Sequence, residues 1–311
     1  MKDLKVIFMG TPNFSVPVLE ALIEKCKVIL VVTQPDRNFK NEVNYSPIKK
    51  LALKHNISVF QPDNISSQAD AIIKLDIDII ITCAYGQIIP KNILDKPKYG
   101  CINVHASLLP KLRGGAPVHR AIINGNSKTG ITIMYMAPKM DAGDIISQVE
   151  TDILVDDNVG SLHDRLSLMG RDLLIDTLPD IIAGNINRIK QDESKVTYGW
   201  NIKREDERID FDKSKKEIFN QIRGLNPWPG AYSVLDEKII KIWESRLGER
   251  GTSKYYNGEI INLYDDGIGV KVSDGEIVFT IIQPEGKPKM SVKDFLNGIK
   301  NKDQIVGKIF K

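Results

Sequence analysis

Cysteine is scarce: three residues in 311, Cys26, Cys83 and Cys101, none with C-x-x-C spacing. That excludes a disulfide framework. Each sits in an apolar context, as a reduced core thiol of a cytoplasmic protein does. The four histidines, His55, His105, His119 and His163, show no ligand spacing with cysteine, so no metal site is expected. No apolar run approaches the roughly 20 residues of a membrane span. The opening MKDLKVIFMG lacks the length and cleavage site of a signal peptide, and the expectation is a cytoplasmic location with no membrane partner. Charge of one sign is also missing. Lys and Arg total 43 against 40 Asp and Glu, a net +3, which permits a nucleic-acid partner without demanding one. Finally there is no G-x-G-x-x-G. The first turn reads GTPNFS with Gly10 alone, so a dinucleotide site loses its main support.

What is present is a regular alternation of elements. LKVIFM at 4–9 is a buried-type strand. Gly10 turns it, Phe14 to Cys26 reads as a helix, and Lys27 to Val32 is a second strand. That order opens a doubly wound, mostly parallel α/β sheet of Rossmann-like type. Residues 33–45 read as a long polar loop, of the length that is usually functional or mobile. Ile77 to Thr82 is an isoleucine-rich strand covered on both faces. Residues 158–178 carry apolar positions at helical spacing, with a kink or interruption expected at Pro179. From Ala183 to Arg208 the pattern fades, and QDESKVTYGWN at 191–201 reads as linker. After the rigid turn Asn226-Pro227-Trp228-Pro229-Gly230, five short strands separated by turn residues fit a small, partly open barrel of OB-like type. The expected boundaries are 1–189, a linker at 190–207, and 208–311. Lysines 287, 289, 293, 300, 302, 308 and 311 bias the end positive, which on a small barrel makes RNA binding a fair hypothesis.

The most informative stretch is GCINVHASLLPKLRGGAP at 100–117. Ile102 and Val104 alternate with Asn103 and His105, so at strand period an amide and an imidazole share a face. They stand at the carboxyl end of the strand, where open α/β sheets bind ligands. The structural alternative is a strand end whose polar residues simply face water. Asp141 and Asp144 flank Gly143 in a tight acidic turn, which turn chemistry alone explains.

Asn103-x-His105-x-Ser107-Leu108-Leu109-Pro110, with Asp141 in M-D-A-G-D, resembles the signature of the 10-formyltetrahydrofolate-dependent formyltransferases. Gln34-Pro35-Asp36-Arg37, Ala84-Tyr85-Gly86-Gln87-Ile88-Ile89-Pro90 and Asn226-Pro227-Trp228-Pro229-Gly230 resemble the branch of that family acting on methionyl-tRNA. The resemblance covers essentially the whole chain. It implies formyl transfer from 10-formyltetrahydrofolate to the α-amine of initiator methionyl-tRNA, for translation initiation, by a monomer. The alternative acceptor is an amino-sugar nucleotide. It further implies that Asn103, His105 and Asp141 are catalytic and that the C-terminal barrel holds tRNA. Ser107, Leu108, Leu109 and Pro110 would contact the folate, and Tyr85, Gly86, Gln87, Ile88 and Ile89 would line its pteridine pocket. The family's loop after Gln-Pro-Asp-Arg is typically rich in glycine and basic residues. Here it is NFKNEVNY, so Arg37 alone is carried over as a tRNA contact. Phe14 reads as a core residue and His163 as structural.

Overall fold

In the computed structural model, which describes residues 1–39, 42–249 and 254–311 (the side chains of 37–39, 42, 43 and 303 excepted), the first strand, β1, runs Lys5–Gly10. β2 is Lys27–Val32, and β3 (Arg37–Phe39) and β4 (Glu42–Asn44) form a hairpin where the sequence suggested only loop. β5 is Val59–Phe60, β6 Ile79–Cys83, β7 Cys101–His105, β8 Lys128–Tyr135 and β9 Ile145–Asp152. Seven of these form one sheet in the order β5-β2-β1-β6-β7-β8-β9. It is parallel through β7, and β8 and β9 run antiparallel.

All five residues of β6 are buried. Four of them, Ile79 to Thr82, are β-branched, which suits a strand covered on both faces. After β1 the chain builds outward to β2 and β5, then returns to place β6 on the other side. The strand order therefore reverses between β1 and β6, which opens a crevice beyond their carboxyl ends. Gly10 is required there. A Cβ would lie 2.8 Å from the Phe8 ring and 2.9 Å from the Cys83 carbonyl oxygen. The helix Val159–Ala183 continues through Pro179 without the interruption that proline allows. Proline loses one backbone bond, but Leu178 and Ile181 beside it are buried, and that packing holds the last turns. Phe14 is buried and meets His163 edge-on at 4.9 Å, so both are structural. Burial also pushes the His163 imidazole down from its ordinary value.

The chain forms two compact units that are not contiguous in sequence. One comprises 1–117, 128–152 and 163–200, the other 118–127, 153–162 and 201–311. The polar stretch 190–200, read as linker, belongs to the first unit. In the second unit β10 (Ala231–Leu235), β11 (Lys238–Leu247), β12 (Ile260–Leu263), β13 (Ile268–Val272), β14 (Gly275–Pro284) and β15 (Met290–Ser291) form an antiparallel sheet ordered β10-β11-β14-β13-β12, with β15 on β14. Residues 308–311 close it. Val234 and Lys311 exchange backbone bonds of 3.0 and 2.9 Å, while Lys308 and Phe310 pair with Ile260 and Gly258. The helix Lys215–Gly224, started by a Ser214–Glu217 capping box, buries Ile218 and Ile222 against Ile242, Val270 and Phe279. This is the small OB-like barrel expected from the strand spacing.

Candidate active site

Asn103 and His105 sit on β7 as the alternation requires, opposite Met134 and Thr132 of β8. The Thr82 hydroxyl at the end of β6 donates to Asn103 Oδ1 at 2.8 Å. With its oxygen engaged, the amide presents its NH₂ to a ligand. His105 is buried, and its Nε2 lies 3.1 Å from the Leu112 carbonyl oxygen. A carbonyl can only accept, so Nε2 carries a proton and donates. Its Nδ1 faces Asp141 Oδ1 at 3.7 Å. That is beyond a direct hydrogen bond, and a water that contacts both must lie to one side of the pair. The amide and imidazole of β7 and the carboxylate from the turn before β9 therefore belong to one unit, with imidazole and carboxylate 3.7 Å apart.

Asp141 is held in a special conformation. Its φ is +48°, the left-handed region that non-glycine residues occupy at a cost. Asp141 Oδ2 accepts from the Gly114 N–H at 2.8 Å. Gly143 beside it admits no side chain, because a Cβ would stand 1.8 Å from the Tyr135 carbonyl oxygen. Gln191 Nε2 donates to the carbonyl oxygens of both Asp141 and Gly143, at 2.8 and 2.7 Å. Gln191 Oε1 in turn accepts from Arg113 Nε and Nη2 at 3.0 and 2.8 Å. Arg113 is fully buried and also reaches Glu193 at 2.8 Å.

The loop after β7 is organised by Thr132. Its hydroxyl donates to the Ser107 carbonyl at 2.6 Å and accepts from Leu109 N at 3.1 Å and Gln148 Nε2 at 2.8 Å. The Ser107 hydroxyl turns back onto the Lys111 carbonyl at 2.6 Å. Leu109 packs with Met134 and Ile145, while Leu108 and Pro110 are half-buried. Beyond β6, the Tyr85 and Ile89 side chains are buried in the sheet's core. Burial pushes the Tyr85 phenol up to about 12. Gln87 braces the neighbouring loop, accepting from Ile65 N at 2.8 Å and donating to the Pro62 carbonyl at 3.0 Å. Gly86, at φ +93°, lets Gln34 approach. Ile88 alone of these side chains stands outward, 81% exposed.

The two Gln-Pro-Asp turns are tied together. Gln61 Nε2 donates to the Gln34 carbonyl and to Asp36 Oδ1, both at 2.9 Å, and Lys49 pairs with Asp36. Burial would raise the Asp36 carboxyl, but the bonds from Lys49 and Gln61 and the Lys49 charge outweigh it and hold it low. The Arg37 side chain expected to touch tRNA, and Lys40 beyond it, lie outside the described residues. Sequence reasoning missed Thr82, Thr132, Gln148, Arg113 and Gln191. Thr82 had a faint signal, as the polar residue ending an isoleucine run. Gln191 had none, since its partners are backbone carbonyls fifty residues away.

The family model for formyl transferase matches residues 4–178, and that for the formyl transferase C-terminal domain matches 201–300. The chain is 51% identical over 301 residues to the methionyl-tRNA formyltransferase of Listeria innocua, covering 94% of this chain and 95% of the relative. It is 50% identical over 300 residues to that of Bacillus subtilis, covering 94% of each. Among solved structures, a sugar 3N-formyl transferase crystallised with dTDP and 5-N-formyl-THF superposes with a TM-score of 0.67 at 22% identity, covering 93% of this chain and 100% of that one. The last likeness concerns the fold.

Proposed function

The chain belongs to the formyl transferase family over both of that family's domains, and from that premise we propose how its strand-end group works. It transfers a formyl group from 10-formyltetrahydrofolate to the α-amine of methionyl-tRNA, the formylation that serves translation initiation. The observation that carries the residue assignment is the 3.7 Å approach of His105 Nδ1 to Asp141 Oδ1, with Asn103 two residues from His105 on the same face of β7.

In our reading the formyl carbon sits beside that pair. The amine attacks it, a new N–C bond forms, and negative charge gathers on the formyl oxygen. Asn103 Nδ2–H and the protonated His105 Nδ1 donate to that oxygen. Such preorganised donors act most strongly where water is excluded, and His105 is nearly so. Asp141 stabilises the imidazolium and accepts the amine's proton through a water. The oxyanion then collapses to a carbonyl, the C–N10 bond breaks, and the proton taken from the amine passes from Asp141 through the same water to N10. The Ser107–Pro110 loop and the 85–89 loop form the folate site, with Ile88 the side chain placed to cover a flat ring. Arg37 contacts the acceptor end of the initiator tRNA, and the barrel holds tRNA phosphates.

Every group in this scheme for the chemical step comes from one unit of one chain, which supports a monomer. The three cysteines are free and buried, with Cys83 and Cys101 pushed up to about 12 by burial; unreactive thiols of this kind suit the cytoplasm. No described helix is long and apolar enough to cross a membrane.

The test is a pair of substitutions assayed with charged initiator tRNA. Asp141→Asn is expected to lower kcat about 10²–10⁴-fold, and Asn103→Ala about 10²–10³-fold. KM for both substrates should stay within a few-fold. Near-normal turnover of Asp141→Asn would overturn its assignment.

A further inference from the structure

We propose that Gln191 is a positioning residue for formyl transfer, holding Asp141 aimed at His105 from a segment that carries no catalytic group itself. The inference rests on the reading of Asp141 given above. Asp141 occupies a left-handed backbone conformation, and that state persists only where its surroundings over-determine it. Gly143 supplies room and no restraint. The restraint comes from Gln191, whose single amide nitrogen spans the two carbonyls on either side of Ala142 at 2.8 and 2.7 Å. Both protons of that NH₂ are used, so the amide fixes the turn at two points.

Gln191 is fixed in its turn. It is 7% exposed, and its oxygen sits in the fork of the buried Arg113 guanidinium, with Nε and Nη2 both donating. The same arginine belongs to the loop that supplies the other two restraints on the site. Leu112 O meets His105 Nε2, and Gly114 N–H meets Asp141 Oδ2. That loop is pinned by the continuation of the Gln191 segment. Leu112 N donates to Thr197 Oγ1 at 2.9 Å and Arg113 N to Thr197 O at 2.9 Å; Gly199 N donates to Arg113 O at 2.8 Å. Residues 191–199 therefore brace both sides of the 3.7 Å gap. One end holds the loop carrying the carboxylate, and the other holds the loop touching the imidazole. A shift of about 1 Å in such a group is enough to cost roughly 10²-fold in rate.

Gln191→Glu keeps the length and the acceptor for Arg113 but removes both N–H donors to the Asp141 turn. Gln191→Asn keeps the amide and falls one methylene short, and it carries the same expectation if the carboxylate prevents folding. Either variant is expected to lower kcat 10–100-fold, with KM for 10-formyltetrahydrofolate and for charged tRNA changed less than threefold. The readout that a merely structural role would not move is coupling. Placed in an Asp141→Asn background, the Gln191 substitution should cost less than a further twofold. Wild-type kcat in both Gln191 variants, or a full additional loss in the Asp141→Asn background, overturns the proposal. The two readings fail separately. An active Asp141→Asn enzyme removes the role of Asp141 and this inference with it, whereas an inactive Asp141→Asn beside wild-type Gln191 variants removes this inference alone.

Discussion

Tyr85 shows how far a single residue was legible. Its motif placed it correctly at the end of β6, beside the crevice, but the side chain points into the core with Ile7, Met9 and Val32. Among the described residues its hydroxyl is buried with no hydrogen-bond partner. A buried hydroxyl left unpaired costs about 1–3 kcal/mol. Tyr85→Phe is therefore expected to stabilise the protein by about 1 kcal/mol, read as a higher denaturant midpoint, with KM for 10-formyltetrahydrofolate within twofold of wild type. A tenfold rise in that KM would show instead that the phenol reaches the folate. Asn103 and His105 were legible for a different reason. Strand alternation is a strict period of two, so sequence spacing alone puts them on one face. It could not say that Thr82 would orient the amide or that the Leu112 carbonyl would claim Nε2, because those partners arrive from other strands and loops.

At the scale of elements, the segment from Gln191 to Gly199 looked like linker because it is polar and aperiodic. Its structure comes from pairing with the 112–116 loop and from side chains bonding distant backbone, and neither leaves a periodic trace. Glu193 within it ties Arg113 to Lys139, just before the Asp141 turn, with both contacts at 2.8 Å. Hydrogen bonds from Arg113 and then Lys139 draw its carboxyl from 4.5 down to about 2. The folded value is the lower one, so the tie is fully present above about pH 4.5 and is lost as pH falls through about 2. The carboxylate is more than half exposed, so solvent screens the pair and its loss loosens the turn locally without unfolding the unit. Hydrogen exchange of the 139–143 amides, corrected for intrinsic rates, should show wild-type protection falling across that window. Glu193→Gln should start with lower protection at pH 7 and lose little more. Parallel loss in the two proteins would mean that the turn is held by its other restraints alone.

At the scale of the whole molecule, the sheet and the barrel were both readable, since one is written in alternating strands and helices and the other in short strands at close spacing. The interleaving of the units was not. Residues 118–127 and 153–162 join the C-terminal unit although they lie between segments of the first, and local pattern cannot report such a long-range choice. The same scale decides how tRNA is gripped. A net charge of +3 gives little overall attraction for a polyanion, so affinity must come from local phosphate contacts. Several of the barrel unit's cations are already paired within it, Arg246 with Asp266 and Lys308 with Asp236 among them. If the proposed barrel grip takes in about three to five phosphates, each releases counterions with a log–log slope of about 0.7–0.9. KM for charged tRNA should then climb with salt at a slope of about 2 to 4.5 between roughly 50 and 200 mM. KM for 10-formyltetrahydrofolate, which has no condensed counterion layer to shed, should stay nearly flat in the same assays. If the two KM values responded alike, the barrel would not be gripping phosphates, and recognition would have to reside in the acceptor end at the β7 site.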